Sequence, residues 1–176
     1  ETPRAGDLNG DGIIDLVFPH FFNGQVEVYL GTGDGNFRQL TRLRLPGQAT
    51  DVLIADIDQD KVTDLTFACP SQRQVVIYAG LRTGGLGPQR SFVVGGLPGR
   101  LLAEDMDLDG KRDLLIGQGD KLDLYRGDGQ RGFLATLTFA AGPALSLASG
   151  DFDEDGAPDL VLGGGGMTLL RNQGFR

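Results

Sequence analysis

Short apolar runs alternate along the whole chain with turns rich in glycine and aspartate. Four three-residue runs stand out: Leu16-Val17-Phe18, Leu65-Thr66-Phe67, Leu114-Leu115-Ile116 and Leu160-Val161-Leu162. Rich in branched and aromatic residues and bounded by turn residues, they read as strands buried on both faces. A turn follows each, then an alternating segment: Val26-Glu27-Val28-Tyr29, Val75-Val76-Ile77-Tyr78, Leu122-Asp123-Leu124-Tyr125 and Met167-Thr168-Leu169-Leu170. Its first and third positions are apolar every time, as a half-buried strand requires. Outer segments such as Phe37 to Leu45 and Phe133 to Ala140 come next. Finally Val52-Leu53-Ile54-Ala55, Leu101-Leu102-Ala103 and Leu145-Ser146-Leu147-Ala148 lead into the following cycle. Four strands per cycle predict a four-stranded antiparallel sheet that must stack on copies of itself. The blade of a β-propeller meets that need.

Each cycle is marked by an acidic loop between its first two strands. The loops are Asp7-Leu-Asn9-Gly-Asp11-Gly12-Ile13-Ile-Asp15, Asp56-Ile-Asp58-Gln-Asp60-Lys61-Val62-Thr-Asp64, Asp105-Met-Asp107-Leu-Asp109-Gly110-Lys111-Arg-Asp113 and Asp151-Phe-Asp153-Glu-Asp155-Gly156-Ala157-Pro-Asp159. Their starts lie 49, 49 and 46 residues apart, so the chain is a repeat protein. The predicted architecture is all-β: one repeat domain of four four-stranded blades at about residues 1–48, 49–97, 98–143 and 144–176. Only six residues precede the first loop, leaving a short inner strand from Thr2 to Gly6, and the last blade lacks its outer strand. The 29 glycines and eight prolines agree with many turns and no long helix.

Charge sharpens the picture. Fifteen of the 20 aspartates sit in the loops, and removing them from a formal −8 leaves the remainder at +7. Carboxylates so concentrated repel unless something positive lies among them. The basic residues are scattered singly, with no aromatic-laced basic stripe, so nucleic acid is excluded as a partner. No apolar run reaches the length that inserts in a membrane. One cysteine, Cys69, excludes a disulfide framework. With no initiator Met or leader, the sequence reads as a processed chain or an excerpt.

Oxygen donors at loop positions one, three, five and nine, with a turn at six, describe carboxylates folded around one centre. Hard oxygen ligands select Ca²⁺ or Mg²⁺, and a flexible turn with many oxygens favours Ca²⁺. Position seven would lend a backbone carbonyl, which frees its side chain to vary as Ile13, Val62, Lys111 and Ala157. An EF-hand needs a carboxylate at position twelve and flanking helices. Here position twelve is Phe18, Phe67, Ile116 or Leu162, each inside a strand, so that reading fails.

This pattern, Asp-x-Asp/Asn-x-Asp-Gly-x-x-Asp-Leu between strands, resembles the FG-GAP/VCBS-type repeats of integrin α-subunit propellers and many secreted bacterial proteins. The resemblance covers essentially the whole chain. It implies a β-propeller with a Ca²⁺ on each loop, held by Asp7, Asn9, Asp11 and Asp15 in the first. The corresponding sets are Asp56, Asp58, Asp60 and Asp64; Asp105, Asp107, Asp109 and Asp113; and Asp151, Asp153, Asp155 and Asp159. Lys61 stands where the other loops have Gly, so the second site is expected to be the weakest of three to four. Extracellular calcium modules bind at about 10⁻⁴ to 10⁻³ M, which places the chain outside the cytosol: extracellular, periplasmic or at the cell surface. The competing account makes these aspartates simple turn formers.

Elsewhere the sequence offers little chemistry. His20 reads as a surface turn residue in Pro19-His20-Phe21-Phe22-Asn23, and Tyr29, Tyr78 and Tyr125 as packing. Gly31, Gly33 and Gly35 open no helix and fit no nucleotide motif, and the Gly163 to Gly166 run reads as a hairpin turn. Arg38, Arg42 and Arg44 read as edge protection. The functional reading is a non-enzymatic module presenting loops to a protein or glycan ligand. The alternative is the propeller portion of a carbohydrate-active lyase or hydrolase, which requires ionisable groups among Asp34, Asp51, Glu27, His20 and Lys121 to converge. A third reading is a spacer with no pocket. The open blade ends are expected to be covered by another copy, through self-association, or by further sequence.

Overall fold

Frequent turns leave room among the described residues for no helix beyond a single 3-10 turn at Pro70–Gln72, and the chain folds into strands. In this computed structural model residues 3–20 and 22–174 are described, the side chains of residues 135 and 136 excepted. Thr2 of the expected inner strand and Phe21 of the expected turn lie outside the described residues.

The chain divides into two compact units, Glu1–Asp56 with Asp60–Leu97, and Ile57–Gln59 with Pro98–Arg176. The first unit holds two antiparallel sheets in simple meander order. One comprises β1 (Arg4–Gly6), β2 (Asp15–His20), β3 (Gln25–Gly31) and β4 (Phe37–Arg44). The other comprises β5 (Asp51–Ala55), β6 (Asp64–Cys69), β7 (Gln74–Gly80) and β8 (Leu86–Val93). Their facing sides share a core of Val17, Val26 and Val28 from the first sheet with Leu65, Phe67, Val76 and Tyr78 from the second.

The second unit repeats the plan. Its third sheet is β9 (Leu101–Glu104), β10 (Asp113–Gln118), β11 (Lys121–Gly127) and β12 (Phe133–Ala140). Its last sheet has three strands: β13 (Ser146–Gly150), β14 (Asp159–Gly163) and β15 (Met167–Leu170). Met106, Leu115, Leu122, Leu124, Leu160 and Leu162 form that unit's core. In all four sheets the acidic loop joins the first strand to the second, as the sequence predicts.

Burial departs from expectation at two strands. β6 is buried at every position, but β2 alternates, with Leu16, Phe18 and His20 only half-buried. β15 is largely exposed, Met167 at 79%, although it carries the same apolar alternation as the buried β3. The apolar pattern states what a strand can bury, and only a neighbouring sheet decides whether it does. Tyr29, Tyr78 and Tyr125 do pack, each edge-on to a phenylalanine: Phe18, Phe67 and Phe133 at 5.7, 6.2 and 6.2 Å.

Thr66 is anomalous. It is fully buried in β6 and its hydroxyl has no hydrogen-bond partner, while Val17, Leu115 and Val161 occupy the equivalent place in the other sheets. Thr66→Val keeps the shape and removes an unsatisfied group, so it is expected to stabilise by about 1–2 kcal/mol in urea unfolding. Destabilisation would show that the hydroxyl is satisfied in solution.

Candidate metal centres

Each acidic loop is built by its own carboxylates capping its own amides. The position-one aspartate receives the N–H of position six: Asp7 from Gly12 (2.8 Å), Asp56 from Lys61 (2.9 Å), Asp105 from Gly110 (2.9 Å) and Asp151 from Gly156 (2.9 Å). The position-five carboxylates of Asp11, Asp60, Asp109 and Asp155 accept from the N–H of position seven: Ile13, Val62, Lys111 and Ala157, at 2.8 to 2.9 Å. These are Asx-type turns, as the turn-former account requires.

Position nine does something else. Asp15, Asp64, Asp113 and Asp159 are at most 1% exposed. Asp113 accepts the Met106 N–H at 3.0 Å on one oxygen and the Gly127 N–H at 2.9 Å on the other. Asp15 does the same with Leu8 and Gly31, and Asp159 with Phe152 and Asn172. Asp64 receives Gly80 at 2.9 Å. One carboxylate thus clasps the start of the loop to the end of the third strand.

Three loops bring the acids of positions one, three and nine together. Asp56, Asp58 and Asp64, then Asp105, Asp107 and Asp113, then Asp151, Asp153 and Asp159 each offer one oxygen within 4.8 Å of the others. The position-five acids are outside these groups. In the first loop Asn9 replaces an acid, and its amide donates to Asp11 at 2.9 Å. Burial raises the Asp113 carboxyl above its ordinary range, and the charges of Asp107 and Asp105 add to this against the two amides that lower it. For the half-buried Asp7, desolvation is outweighed by four backbone amides and the carboxyl is lowered.

All-oxygen donors fit a hard cation, and two buried carboxylate oxygens of the second loop ask for it, Asp56 Oδ1 and Asp58 Oδ1, the latter on a residue whose other oxygen pairs with Arg131. Asp56 Oδ1 is buried and accepts no hydrogen bond, a costly state for a carboxylate oxygen. This atom belongs to the second loop, which Lys61 led us to expect as the weakest. Lys61 does adopt the left-handed backbone (φ 68°) that glycine would take without strain. A second left-handed position, at loop position four, is filled by Gln59, Leu108 and Glu154 as well as Gly10, and the side chains of the first three do not signal it.

Arginines also escaped the sequence reading. Asp107 pairs with Arg126, Asp58 with Arg131 at 2.8 Å, and Asp153 with Arg171 at 3.9 Å. The position-three carboxylates are therefore already partly neutralised, while Asp109 is paired with Lys111 at 3.1 Å. Negative charge left at positions one and nine remains for a cation to balance.

Outside the loops, His20 and Glu27 converge. His20 lies at the end of β2 rather than in the turn, its Nε2 3.7 Å from Glu27. With Leu16, Phe18, Tyr29 and Phe37 they line a groove of about 330 Å³. The Tyr29 hydroxyl donates to Glu27 at 2.9 Å and Arg42 pairs with it at 2.9 Å. The Tyr29 bond first, then the charges of Arg42 and His20, hold Glu27 below its ordinary range despite some desolvation. A general acid for glycoside cleavage needs a raised pKa and a second carboxylate opposite, and among the described residues no other acid lines this groove. Asp51 is instead paired with Arg4 at 2.8 Å, and Lys121 opens β11 in the other unit.

Asp34 closes the turn between β3 and β4. The Thr32 hydroxyl first, then the Asn36 side chain at 2.9 Å and N–H at 3.1 Å, hold its carboxyl at about 2 against an ordinary 3.8. A depressed carboxyl stabilises the turn above the ordinary value and loses that contribution as pH falls toward about 2. An NMR titration of Asp34 is expected to show this low midpoint, moving upward in Thr32→Ala. An ordinary aspartate midpoint in the unmodified protein would refute the turn geometry.

Residues 7–67 and 105–162 match the family described as FG-GAP-like repeat. No curated protein matches the sequence. Among solved structures, a lectin of Agrocybe aegerita, described as specifically recognising non-reducing terminal N-acetylglucosamine, superposes with a TM-score of 0.71 at 18% identity. That match covers 98% of this chain and 50% of the lectin. The N-terminal part of BBS1, solved in complex with ARL6, gives 0.66 at 12% identity over 97% of this chain and 53% of that one. The Tc holotoxin pore of Photorhabdus luminescens gives 0.59 at 22% identity over 91% of this chain and 8% of the toxin chain. The chain thus spans about half the length of the lectin and of the BBS1 fragment. At these identities the likeness shows the fold alone, an all-β array of the β-propeller kind.

Proposed function

The chain belongs to the FG-GAP-like repeat family, and from that premise we propose that it is a calcium-stabilised β-propeller module that binds a protein or glycan ligand outside the cytosol without catalysis. The observation that carries the reading is the three convergent acid groups at equivalent places in successive sheets. Asp7, Asn9, Asp11 and Asp15, and the matching residues of the other loops, would hold the ions, with backbone carbonyls at Ile13, Val62, Lys111 and Ala157. A bound cation supplies positive charge that lets the loop acids converge; the chain's own amides and arginines do the rest of the positioning.

Support for a location outside the cytosol comes from the weak, all-oxygen loops, which need calcium at about millimolar levels to fill. No helix among the described residues is long and apolar enough to cross a membrane. The lectin likeness favours a sugar among the ligand classes. A glycan array run beside a turnover assay tests the proposal. Binding that needs calcium and leaves the glycan intact is expected, and release of cleaved product would establish the lyase or hydrolase alternative.

A further inference from the structure

The acidic loops differ in charge at position three, and another place in the repeat answers the difference. Strand register sets Tyr29, Tyr78, Tyr125 and Leu170 at equivalent places, each opposite the leucine that follows its loop. The next residues along are therefore equivalent too: Leu30, Ala79, Arg126 and Arg171. In the third and fourth loops position three is Asp107 or Asp153, and the arginine of the same sheet pairs with it. In the first loop position three is the uncharged Asn9, and the buried Leu30 stands at the arginine's place. The second sheet has Ala79 there, and Asp58 takes its guanidinium from Arg131 instead, at 2.8 Å.

Three carboxylates at positions one, three and nine with one guanidinium carry −2, the same as Asp7 and Asp15 beside Asn9 in the first loop. Position five is an aspartate in all four loops and does not distinguish them, and Lys111 offsets it separately in the third. In a cage of hard oxygen donors, affinity for a divalent cation follows the ligand charge count, and a fixed cation beside the cage lowers it by direct repulsion. Building on the calcium reading above, we propose that Arg126 and Arg171 set the calcium affinity of the third and fourth loops. Each holds its site at the charge that the first loop has without an arginine.

Arg126 also orients Asp107, so removing it has two opposed effects. Orientation is largely kept without it, because the other Asp107 oxygen accepts the Asp109 N–H at 3.2 Å. The Asp107 side chain is only 3% exposed, so the arginine's charge is screened less there than in open water. Charge therefore outweighs orientation. Arg171, 61% exposed and 3.9 Å from Asp153, acts on its loop more weakly.

Calcium titration of the chain, followed by amide chemical shifts, tests this loop by loop. The Gly110 N–H, bonded to Asp105 at 2.9 Å, reports the third loop, and the Gly12 N–H, bonded to Asp7 at 2.8 Å, reports the unaltered first. In Arg126→Leu the Gly110 midpoint is expected at about tenfold lower calcium, with Gly12 unmoved. Asp107→Asn is expected to raise the Gly110 midpoint. The double variant Asp107→Asn/Arg126→Leu copies Asn9 and Leu30 of the first loop, and its midpoint is expected to return close to that of the unmodified chain. Arg126→Lys keeps the charge without the fork and is expected to move the midpoint little. An unchanged or raised Gly110 midpoint in Arg126→Leu, while Gly12 still titrates, overturns the proposal and leaves the calcium reading standing. So does a double variant that binds as weakly as Asp107→Asn. Failure of both amides to respond to calcium in the unmodified chain removes the calcium reading and this proposal with it.

Discussion

Adding a chelator to the calcium-loaded protein is expected to lower its melting temperature by roughly 10 °C while leaving it folded at room temperature. At about 1 mM calcium and a dissociation constant of about 0.1 mM, each filled site adds about 1.4 kcal/mol by mass action. Three or four sites, at about 2–4 °C per kcal/mol for a chain of this size, give a shift of that order. The ion-free protein stays folded for a structural reason. Apart from Asp56 Oδ1, the position-one and position-five carboxylates bond to loop amides, and the position-three carboxylates pair with arginines. A bound ion would add positive charge among the acids of positions one, three and nine; the Asp113 carboxyl is raised chiefly by burial, with the charges of Asp107 and Asp105 adding to it. Magnesium should restore only part of the shift, because it dehydrates reluctantly and demands a stricter octahedron. An unchanged melting temperature on chelation would make these loops turn formers and nothing more.

The second large effect is expected at Gly127→Ala, at about 3 kcal/mol or more of lost stability in urea unfolding. A Cβ there would stand 2.0 Å from the Arg112 carbonyl oxygen and 3.0 Å from its carbon, both backbone atoms that cannot rotate away. Relieving the clash moves β11 off the loop, and overpacking of this kind costs about 1–3 kcal/mol. The move also stretches the Gly127 N–H bond to Asp113, a carboxylate 1% exposed, and a bond to a charged group is worth about 1.5–3 kcal/mol. Gly110→Ala is the control. Its Cβ meets nothing within 4 Å and only the left-handed backbone (φ 85°) resists it, at about 1 kcal/mol. Equal costs at the two glycines would mean that the clasp between loop and third strand is not rigid.

The sheets and the acid loops were legible because both rest on local pattern. Alternation fixes which residues of β3, β7 and β11 face inward, and the spacing of Asp105, Asp107 and Asp113 places them on one turn. What could not be read depends on residues far apart in sequence. Arg131 reaches Asp58 across more than seventy positions, and nothing in the loop's own composition announces it. The one-sided burial of β2 and the exposure of Met167 depend on which sheet stands opposite. The left-handed backbone of Gln59, Leu108 and Glu154 is imposed by the loop's hydrogen bonds on residues whose side chains give no sign of it. His20 and Glu27 could be named from the sequence only as members of a pool, and strand register brought them together.

Occupancy of the aspartate loops by a cation is tested most directly by anomalous diffraction from crystals grown in calcium. Peaks are expected in at least three loops, including the second, each within about 2.3–2.6 Å of the side-chain oxygens at positions one, three, five and nine. Loops without a peak under saturating calcium, their aspartates bonded only to amides and arginines, would contradict the metal assignment.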